Sequence, residues 1–217
     1  MAPSPEHRRA HELLTAEITR VSKKAKLPFR TLTDLVNTGQ RYPDLIPLLI
    51  DWLRHVELRS KATEPKVLAN LREGLSRALT TVDAVGTEAV PVLFDQFDQF
   101  YLDLPLPPIN SHAVSNALLH LAVPSDYDWM AALATDRALS SGRAAILEWL
   151  IKQGRPDGLE IVVGEIEDPS VRALDIKYLR QFKSLPDGLK PKVERYLGDL
   201  DSEVRKQAKL TLQKLPA

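Results

Sequence analysis

Three tryptophans in this chain each follow an acidic residue directly, in the pairs Asp51-Trp52, Asp128-Trp129 and Glu148-Trp149. A carboxylate and an aromatic wall could together hold a cationic base, through electrostatic attraction and stacking. Adjacent residues of a helix point about 100° apart, so an acid and the ring beside it seldom share one site. Large aromatic side chains on helices are also ordinary core residues, which is the simpler interpretation of these tryptophans.

A second polar pattern joins His112, Asn116 and His120, which are spaced four residues apart and therefore share one helix face. This face either lines a groove or is solvated, and ordinary solvent exposure is the simpler interpretation. The sequence has no nucleophile elbow, no phosphate-binding glycine loop and no His-Glu-x-x-His motif. It also has no cysteine, which excludes thiolate-bound zinc and cysteine nucleophiles. We therefore predict no catalytic residue, no metal site and no cofactor.

The charge distribution is uneven, although the chain has 29 basic and 29 acidic residues. Between Ala78 and Asp136 there are eight acidic residues and no lysine or arginine. Acidic groups steer a basic partner, and exposed aromatic rings give contact area at low entropic cost, whereas a solvated acidic face is the alternative. The candidate partner-binding residues in and around this stretch are Asp95, Asp98, Asp103, Asn116, His120, Asp128 and Trp129.

Helices must position these residues, because apolar side chains recur with helical spacing and no strand-like alternation or Asn-Gly turn occurs. The block Asp168-Pro169-Ser170-Val171-Arg172 is echoed 33 residues later by Asp201-Ser202-Glu203-Val204-Arg205. Each block follows one apolar helix and begins another, since the acid can cap exposed amides and proline fits a first turn. The C-terminal third is therefore predicted to be helix, turn, helix, twice, with the helix before the second block over residues 189–200. Apolar residues at helical spacing also predict helices over residues 42–53 and 65–79.

This pattern resembles HEAT repeats, closely over residues 156–216 and more loosely from residue 41, and it is similar to uncharacterised bacterial HEAT-repeat proteins. The resemblance implies an all-α fold: a right-handed, armadillo-like α-solenoid of about five helix pairs over residues 41–217, capped by helices in residues 1–40. A proline-rich linker leaves the repeat boundary near residues 101–110 open. Aspartates and arginines of successive HEAT repeats form a ladder, which implies structural roles for Asp168, Arg172, Asp201 and Arg205.

These features predict a non-catalytic binding or scaffold protein whose inner curve takes a protein partner with a basic surface. An immunity protein that covers a cationic toxin is one such case. The enzyme alternative is a HEAT-like alkylpurine DNA glycosylase, a group that uses tryptophan and aspartate on a concave helical surface. Nucleic acid is the less favoured partner, because a duplex binder needs a basic stripe. No apolar run approaches the roughly 20 residues of a membrane span, so we expect no membrane partner and a cytoplasmic location, and the oligomeric state stays open.

Overall fold

The computed structural model describes residues 3–36, 38–98, 108–182 and 188–214, and these residues form α-helices joined by turns and short 3-10 segments. The described residues contain no β-strand, which confirms the predicted all-α class. The chain divides into two compact units, Met1–Ala122 and Val123–Ala217. None of the described helices is both long enough and apolar enough to cross a membrane.

The first unit is organised around the helix Pro65–Leu79, which contacts helices that precede it and a helix that follows it in the chain. Its helices are α1 (Pro5–Ala25), α2 (Leu32–Leu35), α3 (Ile46–Arg54), α4 (Val56–Ser60), α5 (Pro65–Leu79), α6 (Ala89–Asp98) and α7 (Pro108–Leu121). The helix predicted over residues 65–79 is confirmed as α5, which begins with a proline in its first turn. Leu71, Leu75 and Leu79 recur at every fourth residue and are fully buried, where α5 packs against α3 and α7.

The second unit has the predicted alternation of helices and tight turns. Its helices are α8 (Tyr127–Thr135), α9 (Ala144–Gln153), α10 (Pro156–Glu165), α11 (Arg172–Tyr178), α12 (Leu189–Glu194) and α13 (Ser202–Leu212). Both echoed blocks lead into helices, α11 and α13, so the helix-turn-helix prediction is confirmed. Asp201 caps α13 by accepting a hydrogen bond from the Glu203 amide at 2.7 Å. Helix α11 packs against both α9 and α13.

The structure differs from the prediction mainly where helices are short. The predicted helix over residues 42–53 starts with a 3-10 turn at Pro43–Leu45 before α3 begins. The predicted helix over residues 189–200 is α12 followed by a 3-10 segment, Arg195–Gly198. Helix α4 was not predicted, because its single turn is too short to show a periodic pattern.

Candidate functional site

Two acidic residues of the stretch between Ala78 and Asp136 are paired with arginines of the first unit. The Asp83 side chain is buried, where it pairs with Arg41 and accepts a hydrogen bond from the Tyr42 amide at 2.7 Å. Glu88 lies 3.6 Å from the Arg54 guanidinium. The stretch therefore lacks basic residues in the sequence, but cations from elsewhere in the chain neutralise part of its charge.

Two further acids of the stretch act as local caps in the second unit. Asp126 accepts a hydrogen bond from the Val123 amide at 2.8 Å, and Asp136 accepts one from the Ala138 amide at 3.0 Å. Both contacts hold turns that precede helical segments, which is an ordinary structural use of aspartate. These carboxylates are consequently engaged and are poor candidates for direct partner contacts.

The predicted contact residues of the first unit lie on α6 and α7. Asp95, Asn116 and His120 are exposed. Asp95 has no ion pair or hydrogen bond with any residue that the structure describes. Asp98 ends α6 but its side chain is outside the described part of the chain, and Asp103 lies wholly outside it. Asp95 is thus an unpaired carboxylate among the described residues of the predicted set.

The predicted contact residues of the second unit, Asp128 and Trp129, are neighbours at the start of α8. Trp129 is 54% exposed, whereas Trp52 is 0% and Trp149 is 2% exposed. The structure describes all three tryptophans of the chain. Trp52 and Trp149 are core residues, as the simpler interpretation expected, and Trp129 is not. Two of the three acid–tryptophan pairs therefore cannot present a ring to a ligand.

Helix α8 is divided cleanly into a buried and an exposed face. Tyr127, Met130 and Ala134 are buried, with spacings of three and four residues that place them on one side. The outward side presents Trp129 among smaller side chains: Asp128, Ala132 and Thr135 are all exposed. Helix α8 therefore carries one half-exposed large aromatic ring on its outward side.

A cation also lies close to this helix. The Arg155 guanidinium lies 3.6 Å from the centroid of the Tyr127 ring and pairs with Asp157, with 2.9 Å between Nη2 and Oδ2. Stacking over the ring and the ion pair hold Arg155 in place. Its charge is therefore compensated mainly by Asp157, and it also interacts electrostatically with Asp128, which is exposed on the outward side of α8.

The four residues predicted to form a ladder make contacts within the second unit. Arg172 donates to Asp199 at 3.1 Å, which ties α11 to the turn before α13. Asp168 accepts a hydrogen bond from the Ser170 amide at 2.8 Å and pairs with Arg143. Burial alone would raise the pKa of Asp168, but the Ser170 amide and the Arg143 charge outweigh it, and the pKa lies below its usual value.

The other two ladder residues contact the chain near the start of α13. Asp201 caps this helix, and the Arg205 guanidinium donates to the carbonyl oxygens of Asp199 and Leu200 at 2.6 and 2.9 Å. Arg205 therefore stabilises the turn that also contains Asp199, the ion-pair partner of Arg172. Each of the four residues stabilises a turn or joins neighbouring helices.

The fully buried Arg143 was not predicted from the sequence as part of a site. Its guanidinium donates to Glu165 Oε2 and to the Ala134 carbonyl, both at 2.7 Å, and it pairs with Asp168. One arginine thus connects α8, the start of α9 and the end of α10. A sequence signal existed, because Arg143 is in helical register with the apolar residues Ile146, Leu147 and Leu150.

A buried carboxyl group, Asp175 on α11, lies within electrostatic range of this cluster. Its residue is 0% exposed, and neither carboxylate oxygen has a hydrogen-bond partner among the described residues. Burial raises the pKa of Asp175 to about 8, although the Arg143 charge acts in the opposite direction. The group is therefore largely protonated and neutral near neutral pH, which fits a structural position rather than a charged binding site.

The first unit contains a cavity of about 660 Å³. The predicted acidic binding surface did not include this cavity. It is lined by residues of the segment after α2, of the end of α5 and of α7, among them Arg41, Arg77, His112 and Asn116. Asn116 is thus brought into a groove, which is one of the two interpretations that its spacing with His112 left open. Arg41 and Arg77 are far from His112 in the sequence, so no local motif could reveal this grouping.

Comparison with known proteins finds no matching family model, no similar curated protein and no similar solved structure.

Proposed function

We propose that this protein is a non-catalytic binding protein, a HEAT-like right-handed α-solenoid that takes a protein partner through the outward face of α8. The observation that carries the proposal is the 54% exposure of Trp129 beside the exposed Asp128. A solvated indole leaves a large apolar surface in water, and tryptophan is among the residues most enriched at the energetic centres of protein interfaces.

The pattern of helix contacts supports the repeat architecture. In the first unit α5 packs against α3 and α7, and in the second α11 packs against α9 and α13, so alternate helices stack on one another. Stacking of alternate helices is what repeated helix pairs produce. The Arg172–Asp199 pair, which links neighbouring helical segments, supports the proposed ladder.

The surroundings of Trp129 favour a macromolecule over a small molecule. Ala132 and Thr135 are exposed on the same side of α8, so this side is accessible to a large partner. A flat partner surface can cover the indole and exclude water from it, as happens at interface hot spots. Trp52 and Trp149 are core residues, which removes two of the aromatic walls that a glycosylase site could have used.

The exposed carboxylate of Asp128 is the reason for proposing a partner with a basic surface. Asp128 has an exposed side chain next to Trp129, and a complementary lysine or arginine on the partner would accelerate association. Such steering falls with ionic strength, because exposed charges are screened over about 10 Å at 0.1 M salt. A partner with a basic surface, such as a cationic toxin, fits this face best.

Affinity capture from a lysate of the native host tests the proposal. The wild-type chain, Trp129→Ala, Asp128→Lys and Leu58→Ala would be compared, since Leu58 is a 77% exposed apolar residue of the other unit. We expect one basic protein to be retained by the wild type and by Leu58→Ala and lost with Trp129→Ala. Asp128→Lys should weaken its retention most at low salt. Equal retention by wild type and Trp129→Ala would show that α8 is not the interface.

A further inference from the structure

We infer that the 660 Å³ cavity of the first unit binds a small organic anion, a molecule with a phosphate or carboxylate group and an apolar part. The described residues that line it lie between Leu35 and Asn116 in the first unit, whereas α8 belongs to the second unit. Its volume falls within the range of about 300 to 1,000 Å³ that is usual for small-molecule sites.

The hydrogen-bond donors of the lining favour an anion. Arg41, Arg77 and His112 line the cavity, together with neutral polar groups such as Thr80 and Asn116. None of the lining residues that the structure describes is acidic. Guanidinium groups are the side chains best suited to a carboxylate or phosphate, because their planar donors match two oxygens at once.

Both arginines keep donors that a ligand could use. Arg41 contacts Asp83 through Nε, and Arg77 contacts Glu73 through Nη2 at 2.8 Å. The remaining guanidinium nitrogens of both side chains have no partner among the residues that the structure describes. A guanidinium has five N–H donors, so each of these ion pairs leaves most of the group available.

The ion pair with the buried Asp83 also restricts Arg41 before any ligand arrives. Asp83 is buried and is fixed by the Tyr42 amide at 2.7 Å, while the Tyr42 hydroxyl donates to the Ala78 carbonyl at 2.7 Å. Arg41 is thereby anchored to the end of α5, the helix that carries Arg77. Groups held in place in this way lose little conformational entropy on binding.

The apolar part of the ligand would contact the rest of the lining. Leu35, Val36, Val82 and Ala113 contribute apolar surface to the cavity. Val82 is 66% exposed, so a ligand ring placed against it would remove apolar surface from water. A bare inorganic ion would leave this surface uncovered and should bind more weakly than an organic anion.

Isothermal titration calorimetry on the full chain tests the inference with inorganic phosphate, phenyl phosphate, benzoate and phenol at constant ionic strength. We expect phenyl phosphate or benzoate to bind at one site with a dissociation constant of about 1 mM or tighter. Inorganic phosphate should bind at least several-fold more weakly, and uncharged phenol more weakly still. Absence of binding by both phenyl phosphate and benzoate would overturn the inference, as would equal binding of phenol.

Three variants locate the site. Arg77→Gln should weaken the binding about tenfold or more, which corresponds to the loss of one charge-assisted contact. Arg54→Gln is the matched control, because it is also a helical, ion-paired arginine, with 44% of its side chain exposed against 55% for Arg77. Asn116→Phe keeps every charge but fills the cavity from the exposed surface of α7, so it should also abolish binding. Unchanged binding by Arg77→Gln or by Asn116→Phe would show that the anion binds elsewhere.

Discussion

Arg143 donates a 2.7 Å hydrogen bond from Nη1 to Glu165 Oε2, and no part of the arginine side chain is exposed to solvent. The same guanidinium pairs with Asp168 and donates to the Ala134 carbonyl, so it connects three consecutive helices of the second unit. Buried ion pairs stabilise a fold only when their hydrogen bonds are satisfied, a condition that this arginine meets through several acceptors.

Replacing this arginine should be costly. Arg143→Met would leave the partly buried Asp168 without its paired cation and Glu165 with only Arg137, at 3.3 Å, and we expect the free energy of unfolding to fall by about 3 to 5 kcal/mol. Lys206→Met is the control, because its pair with Glu203 at 3.2 Å is exposed and such pairs contribute about 1 kcal/mol or less. Urea denaturation of both variants measures the difference, and equal losses would contradict a central role for Arg143.

Asp175 should make the stability of the protein depend on pH. Its pKa in the folded protein is raised to about 8 by burial, whereas an unfolded aspartate has a pKa of about 4. Between these values the folded state keeps a proton that the unfolded state releases, so the contribution of this group to stability falls as pH rises.

Asp175→Asn removes this titration at nearly constant shape. The variant should gain stability relative to the wild type as pH rises from 5 to 8, by up to roughly 1 kcal/mol per pH unit. Comparing the two proteins at each pH cancels the titration of all other groups. Parallel stability curves for the two proteins would show that Asp175 does not hold its proton in the folded state.

Two helical glycines should respond to alanine in opposite ways. A Cβ at Gly164 on α10 would meet nothing within 4 Å, so Gly164→Ala should raise the free energy of unfolding by roughly 0.5 to 1 kcal/mol through helix propensity. A Cβ at Gly74 on α5 would lie 2.6 Å from Leu32 Cδ2, a buried side chain of α2. Gly74→Ala should therefore gain nothing or lose stability, and thermal denaturation that shows equal gains would refute the close approach of α2 and α5.

The single exposed indole should be visible in fluorescence quenching. All three tryptophans are described, and Trp129 is the one that acrylamide can reach freely. We expect a readily quenched component in the wild type that disappears in Trp129→Phe, while the remaining emission is quenched only slowly. If Trp129→Phe is quenched as readily as the wild type, the exposed ring is not Trp129.

The helices could be predicted from the sequence because their apolar spacing is a local property. Helix α5 and the two echoed turns are the clearest cases, since capping residues, prolines and apolar stripes all agree there. The use of the acidic residues could not be predicted in the same way, because the partners of Asp83 and Glu88 are arginines more than thirty residues away in the sequence. The cavity near Asn116 depends on the same kind of distant contact, between α7 and the segment that follows α2.

Residues with the same local sequence pattern differ in how deeply they are buried. The three acid–tryptophan pairs have the same local pattern, but Trp52 and Trp149 are on the buried sides of α3 and α9 and only Trp129 is on the outward side of α8. Asp175 likewise lies on the apolar side of α11, four residues after Val171 and four residues before Leu179. The pattern of apolar residues alone did not predict that this aspartate is buried.

Site-specific photocrosslinking tests the central claim most directly. Benzoylphenylalanine would replace Ala132, an exposed residue one turn from Trp129 on α8, so that the proposed contact residues stay intact. In the native host we expect irradiation to join the chain to one basic protein, and we expect Trp129→Ala in the same chain to abolish that product. The same crosslinker at Leu58 should not capture this protein. A crosslinked product that persists with Trp129→Ala, or no product at residue 132, would contradict partner binding through the outward face of α8.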